Sequence, residues 1–388
     1  MSTTGLQTAD GVDGLVPREQ MVPSAQKLRD AYARVPGAPL FRREFGYYCL
    51  KEWQAQGMPQ DKPLEELFNY DAPGHYSLGQ LGWCESAFEP CFEEKLLEDR
   101  GEHELIQDFA GRAVLCFKGR RQGFMPEYMD HPVKDEKSWK DKVAWRLDPN
   151  SSKRYEGLGG RMTEAKACAA KGLIITQNLI GGYMYLRSLF GPGDLLYKFY
   201  DEPALIHQCM TAWLDLADGV IAQHQKHVTL DELYLAEDIC YNHGLLISPE
   251  MMREFLFPYY RELITRVRNR QRDPHRHLYI QVDTDGDALL SIPVYQEIGM
   301  EVMSPFEVAS GSDVVAIGQA HPDLVILGGI DKRILATSED AIDQELERIL
   351  PVMRERGGYI PTCDHGVPAE VPYENYLHYR KRCIELGG

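Results

Sequence analysis

From about residue 172 onward, short apolar runs of strand length alternate with longer stretches patterned as helices. The strand-like runs are GLIITQNL (172–179), ELYLAEDI (232–239), HLYIQVD (277–283), MEVMSPFE (300–307), LVILGGID (324–331) and GYIPTCDH (358–365). Between them lie PALIHQCMTAWLDLADGVIAQHQKHV (203–228), SPEMMREFLFPYYRELITRVRNRQ (248–271) and SEDAIDQELERILPVMRERG (338–357). Ser248-Pro249 and Ser338-Glu339 open two of these as helix caps. Earlier, a helix is predicted near Ser24 to Arg34. PLFRREFGYYCLKEWQAQGMP (39–59) then reads as a strand, a turn and a helix ended by Gly57 and Pro59. Residues 87–119 differ in texture. Their short runs, FEPCFEEKLLED, HELIQDFA and AVLCFKG, are separated by turn residues and predict an antiparallel meander, an insertion or a lid.

Six strand–helix units, with the one beginning at Pro39, approach the eight of a (β/α)₈ barrel. A doubly wound sheet is the competing architecture, but it usually carries a Gly-rich phosphate loop early on, and the chain has neither GxGxxG nor GxxxxGK[ST]. The expectation is therefore an α/β chain: a tail over residues 1–16, and one (β/α)₈ TIM barrel over 17–388 with an N-terminal extension and a small antiparallel β insertion.

Composition narrows the partners. The chain is 44% hydrophobic and 26% charged, enough for a substantial core. With 59 acidic against 42 basic residues its formal charge is −17, which repels nucleic acid and anionic membranes. No apolar run approaches the ~20 residues of a membrane span, and MSTTGLQTADGVDGLVP lacks the pattern of a signal peptide. Nine cysteines without a CxxC pair fit reduced thiols, so a cytoplasmic location is expected.

The strand ends carry the chemistry. In order they present Gln177 and Asn178, Glu237 and Asp238, Asp283 and Asp285, Glu307, Asp331, and Asp364 and His365. In a barrel these converge on one mouth, where enzymes of this fold keep their catalytic groups. A helix N-cap explains an isolated Asp at such a junction. It does not explain Asp283, Asp285 and Asp287 within five residues, because like charges that close raise one another's pKa unless a metal, a cation or a proton is shared.

Three groups of side chains follow. Asp283, Asp285 and His365 could form a mixed oxygen and nitrogen metal site, with Glu237 as fourth ligand or general base. The same residues could equally form a metal-free set in which His365 neutralises one acid. Tyr47, Tyr48, Trp53, Phe124, Tyr128, Tyr183 and Tyr185 could wall a pocket for a flat ligand or simply pack the core. Arg42, Arg43, Arg120, Arg121 and Arg187 could neutralise a substrate carboxylate. VDTDGD also looks like the first motif of the haloacid-dehalogenase phosphatases, but it lies late in the chain and has Asp287 where Thr is expected. An EF-hand loop fails because Val294 stands at its acidic closing position.

AEDICYNHG, SPEMMREFLFPYYRELI, the strand ending at Asp283 to Gly286, PFEVASGSDV, LGGIDKR and GGYIPTCDHGVPAEVPYENYLHY together resemble the uroporphyrinogen decarboxylase superfamily, specifically its methyltransferase-like branch. The resemblance covers nearly all of the chain from about residue 24 onward and implies a (β/α)₈ barrel active at its carboxyl mouth. True decarboxylases of the superfamily grip the propionates of a porphyrinogen with an N-terminal, arginine-containing segment. Here the matching stretch, residues 39–59, looks instead like the methyltransferase branch. That branch moves methyl groups to or from a corrinoid protein, commonly with zinc held by a His-x-Cys pair and a final Cys. The resemblance places Asp283 and Asp285 on the His-x-Cys pair and His365 on the final Cys.

An oxygen-rich site suits activation of an oxygen leaving group, by a metal or by a protonated acid, rather than a thiol acceptor. The resemblance therefore implies the donor half-reaction, an O-demethylase type of methyl transfer. A small methylated donor, a methyl ether or similar and aromatic among the options, would sit against Tyr47, Tyr48, Phe124, Asn178, Tyr183 and Arg187. Asp283, Asp285, Glu237 and His365 would be the catalytic set, with a divalent metal, zinc first among them, on the same four residues. The corrinoid would arrive on a partner protein, because no Asp-x-His-x-x-Gly motif is present. A homodimer is left open. A decarboxylase or lyase of a small carboxylic acid or a uroporphyrinogen-like substrate is the alternative, and an idle scaffold a third reading.

Overall fold

The computed structural model describes residues 7–8, 11–12, 14–119 and 126–388. Most of the expected tail lies outside these; within it, Gln7–Thr8 pairs antiparallel with Gly11–Val12.

Seven strands, β1 (His75–Ser77), β2 (Ile174–Ile180), β3 (Glu232–Ala236), β4 (Tyr279–Asp283), β5 (Val302–Ser304), β6 (Val325–Leu327) and β7 (Tyr359–Ile360), pair in that order as one parallel sheet. The sheet curls, and residues 39–48 run through the gap between its edges. On one side the Val367 amide donates to the Gly46 carbonyl at 2.8 Å and the Tyr48 amide to the Val367 carbonyl at 2.9 Å. On the other, the Asp71 amide donates to the Arg42 carbonyl at 2.9 Å. The fold is TIM-barrel-like, with seven regular strands and this extended segment in the eighth place. Segment 39–48 forms no regular ladder because side chains take over some of its pairing: Glu44 Oε1 accepts from the Cys363 amide at 2.8 Å.

Strand parity decides what faces inward. Asp283 is in register with Ala236 and with Ser304. Leu233, Leu235, Ile280 and Val282 alternate with these positions and are buried in the main apolar core. Each such side chain contributes about 1.5–3 kcal/mol by leaving water. The opposite parity lines a lumen of about 220 Å³, which draws residues from β1 through β6 and from the 39–48 segment.

Two features depart from expectation. The helix expected over 248–271 divides into Pro249–Phe255 and Phe257–Asn269, because Pro258 lacks the amide that would continue the ladder through Leu256. The meander continues past residue 119: Lys95–Arg100, His103–Gln107, Ala113–Phe117 and Glu127–Asp130 form a four-stranded antiparallel sheet with its own small core of Ile106, Val114 and Cys116. Among the described residues no helix is long and apolar enough to cross a membrane.

Candidate active site

A cavity of about 600 Å³ opens at the carboxyl ends of the strands, and Asp283, Asp285 and His365 all line it. Asp283 closes β4. Its Oδ2 accepts a short hydrogen bond from the Ser304 hydroxyl, and the Tyr234 hydroxyl also bonds to its carboxyl group. The Gln281 amide donates to Ser304 Oγ at 3.0 Å, so the serine proton is left for Asp283. Burial pushes the Asp283 carboxyl up to about 7; the two hydroxyls pull it down, and neighbouring Asp285 adds to the rise.

Asp285 turns to a different partner. Its Oδ2 lies 3.6 Å from His365 Nε2. The nearby carboxylate holds the imidazole above its usual range against the opposing effect of burial. His365 stacks on Tyr48, with centroids 5.9 Å apart and planes at 19°, and meets Phe45 at 5.2 Å. The turn between the acids and the following residues needs Gly286. Its φ is +81°, and a Cβ there would lie 2.7 Å from the Tyr241 carbonyl oxygen. The Gly286 amide donates to Glu307 at 2.9 Å, which fixes the loop.

Several expected site residues are placed elsewhere. Glu237 has the parity of Leu235; it borders the mouth cavity, but its side chain is fully buried and turned to other partners. Its carboxylate accepts from the Tyr260 hydroxyl at 2.7 Å and from the Tyr183 amide at 2.9 Å, and burial lifts it to about 7. It secures the start of helix Gly182–Phe190 and meets Asp283 through the backbone, its amide donating to the Asp283 carbonyl at 2.9 Å. Among the described residues no three of His, Cys, Asp and Glu converge to hold an ion. The four donors expected for zinc, Asp283, Asp285, His365 and Glu237, therefore do not fit one. The reason is directional: Asp283 is held by hydroxyls, Asp285 by an imidazole, and Glu237 by a tyrosine behind the wall.

Tyr47 turns away from the mouth and packs against Trp53, Phe68 and Tyr376. Tyr183 is buried at the helix start. Asn178 faces the lumen and accepts from the Ser77 hydroxyl at 2.5 Å. Arg187 does line the mouth, but its guanidinium is paired with Asp238 at 2.6 Å. Tyr48 also lines it. Phe124, Arg120 and Arg121 lie outside the described residues. Arg42 pairs with Asp71 at 3.0 Å.

The remaining strand-end acids do structural work. Asp331 caps helix Lys332–Leu335 and pairs with Arg333. Asp364 accepts from the amides of Val308 and Lys332. Asp287 accepts from the Leu289 amide two residues on.

The structure adds residues that periodicity does not single out. Trp83 stacks on Tyr234 at 5.1 Å and 23° and, with Phe45, lines both the mouth and the lumen. The inserted sheet brings Arg112 and, just beyond it, His131 to the mouth, beside Tyr128, an expected pocket wall. Arg112 is fixed by Asp108 and Glu85, each at 2.7 Å, and lies over the Tyr128 ring at 4.6 Å. A lone Trp or Arg in a loop carries no periodic signal. The parity of Glu237, by contrast, was readable from its spacing to Leu235.

The fold and this mouth define a barrel protein with an acid and an acid–imidazole pair in one cleft. The family model for uroporphyrinogen decarboxylase (URO-D) matches residues 183–385, more than half of the chain, and the protein belongs to this family. It is 29% identical over 136 residues to a uroporphyrinogen decarboxylase of Geotalea uraniireducens (strain Rf4). It is 27% identical over 138 residues to one of Geotalea daltonii. Each match covers 35% of this chain and 37% of the relative, so the chain aligns with little more than a third of these relatives' length. A solved methyltransferase from Methanosarcina mazei superposes with a TM-score of 0.56 at 13% identity, covering 93% of this chain and 98% of that one; this likeness shows the fold.

Proposed function

We propose that the protein transfers a methyl group from a small O-methylated donor, bound at the barrel mouth, to the cobalt of a separate corrinoid protein. The observation that carries this reading is the Asp283 carboxyl group. Burial raises it to about 7, so it holds a proton near neutrality at the edge of a cavity large enough for a small donor. The corrinoid supplies a cobalt(I) nucleophile that accepts the methyl group. The breaking carbon–oxygen bond leaves its electron pair on oxygen, Asp283 gives that oxygen its proton, and the free alcohol departs. His365, which the Asp285 carboxylate makes easier to protonate, lines the same mouth and is placed to donate a hydrogen bond to the oxygen that is becoming negative. No step runs through a metal.

The mouth suits a small donor better than a polyanionic porphyrinogen. Among the described residues the two arginines that line it are already neutralised by the protein's own acids, Arg187 by Asp238 and Arg112 by Asp108 and Glu85. The test is anaerobic mixing with a reduced corrinoid protein and a panel of methyl ethers, read by loss of the cobalt(I) absorbance. Consumption of cobalt(I) in step with alcohol release supports the reading. Carbon dioxide release from a small carboxylic acid, with cobalt(I) unchanged, replaces it with a carboxy-lyase.

A further inference from the structure

The mouth is not a closed dish. Phe45 and Trp83 line both it and the 220 Å³ lumen beneath, so the two spaces share these rings as a common wall. Trp83 is 43% exposed, unusual for an indole held in a stack. A cavity of roughly 150 Å³ already accommodates a benzene ring, so the lumen has room for a single substituted ring and no more.

Its walls are polar below the rings. Arg43 reaches the lumen, where burial raises the Glu232 carboxyl group and the Arg43 charge pulls it down without touching it. The lumen acid, Glu232, has both oxygens occupied, by the Tyr32 hydroxyl at 2.7 Å and the Thr176 hydroxyl at 2.8 Å. Burial pushes the neighbouring His75 down to about 4, so near neutrality it adds hydrogen-bonding capacity without charge. Glu232 therefore balances the Arg43 charge only at a distance, and a half-buried guanidinium that no carboxylate among the described residues touches can still take an anionic group in direct contact.

We propose that the methyl donor is a flat aryl methyl ether with an anionic substituent across the ring from the ether. The ring lies between Phe45 and Trp83, the substituent meets Arg43 in the lumen, and the ether oxygen faces Asp283 in the mouth. The placement follows from which space each residue lines: Asp283 only the mouth, Arg43 only the lumen, and the two rings both. An aliphatic ether fills the same length without the stacking, and an uncharged arene leaves Arg43 unpaired.

This inference rests on the methyl-transfer reading for its chemistry, but its test is binding alone, with no corrinoid present, so the two fail separately. Titration calorimetry of the full chain with para-methoxybenzoate, methoxybenzene and methoxyacetate is expected to favour the first at least tenfold over either other. Trp83→Leu should weaken para-methoxybenzoate at least tenfold and methoxyacetate less than twofold, while Trp83→Phe keeps most of the affinity. Arg43→Met should erase the preference for para-methoxybenzoate over methoxybenzene. No binding of para-methoxybenzoate at millimolar concentration overturns the proposal. So does equal affinity for methoxyacetate, or a Trp83→Leu protein that binds the arene as tightly as the wild type.

Discussion

The Ser304 hydroxyl donates to the carboxylate of Asp283, and does so with its own oxygen already accepting from Gln281. The two residues sit side by side in register on β5 and β4, so sheet pairing itself aims the serine at the acid. Asp283 is thereby fixed in one orientation while burial keeps a proton within its reach.

A proton donor at the mouth gives activity a definite pH dependence. Burial lifts Asp283 from the ordinary carboxylate range to about 7, so its protonated fraction falls as pH rises through that value. The rate of cobalt(I) consumption should decline on the alkaline side of about 7. Asp283→Asn should lose on the order of 10²–10⁴-fold in rate with little change in folding midpoint, the span typical of a lost general acid. A flat rate from acid to alkaline pH would remove Asp283 from this role.

The pairing of His365 with Asp285 is directly observable. The carboxylate raises the imidazole above its usual range. In Asp285→Asn the ring C–H resonance of His365 should therefore titrate at lower pH than in the wild type. An unchanged midpoint by NMR would show that the two groups do not interact in solution.

Glu237 predicts a pH-dependent stability. Its native carboxyl group is raised from 4.5 to about 7 by burial, so the folded protein keeps a proton that the unfolded chain has released. Stability should fall as pH rises from about 4.5 to about 7 and level off above. The total is about 3 kcal/mol for a shift of this size. Thermal melts across that window should show a shallower slope in Glu237→Gln than in the wild type, the remainder coming from Asp283, which burial also lifts to about 7.

The inserted sheet is anchored to the mouth through Arg112. That side chain is 8% exposed and holds Asp108 and Glu85, themselves 11% and 22% exposed. Arg112→Ala removes the cation and leaves a mostly buried carboxylate unpaired, which costs about 3 kcal/mol. The denaturant midpoint should drop accordingly, and protease cleavage within the sheet should speed up. A variant as stable as the wild type would mean that the insertion is held by its apolar core instead.

The sequence by itself determined the repeating strands and helices, because a strand buried on both faces must be an unbroken apolar run wherever it sits in the chain. It also determined that acids gather at strand ends, and that Gly286 turns the chain between two of them. Parity was there to be read as well: two residues after Leu235, Glu237 shares the parity of a buried core residue. The tertiary structure alone decided what each acid does. Asp331 became a cap, Asp364 a bracket for two amides, and Asp285 the partner of an imidazole 80 positions later in the chain. It alone placed Trp83 on the wall shared by mouth and lumen and Arg43 in the lumen, and it alone turned Tyr47 into the core. The physical reason is range. Periodicity records which side of an element meets water, a local property, whereas the charge state of a carboxyl group depends on neighbours that only the closing of the barrel brings within a few ångströms.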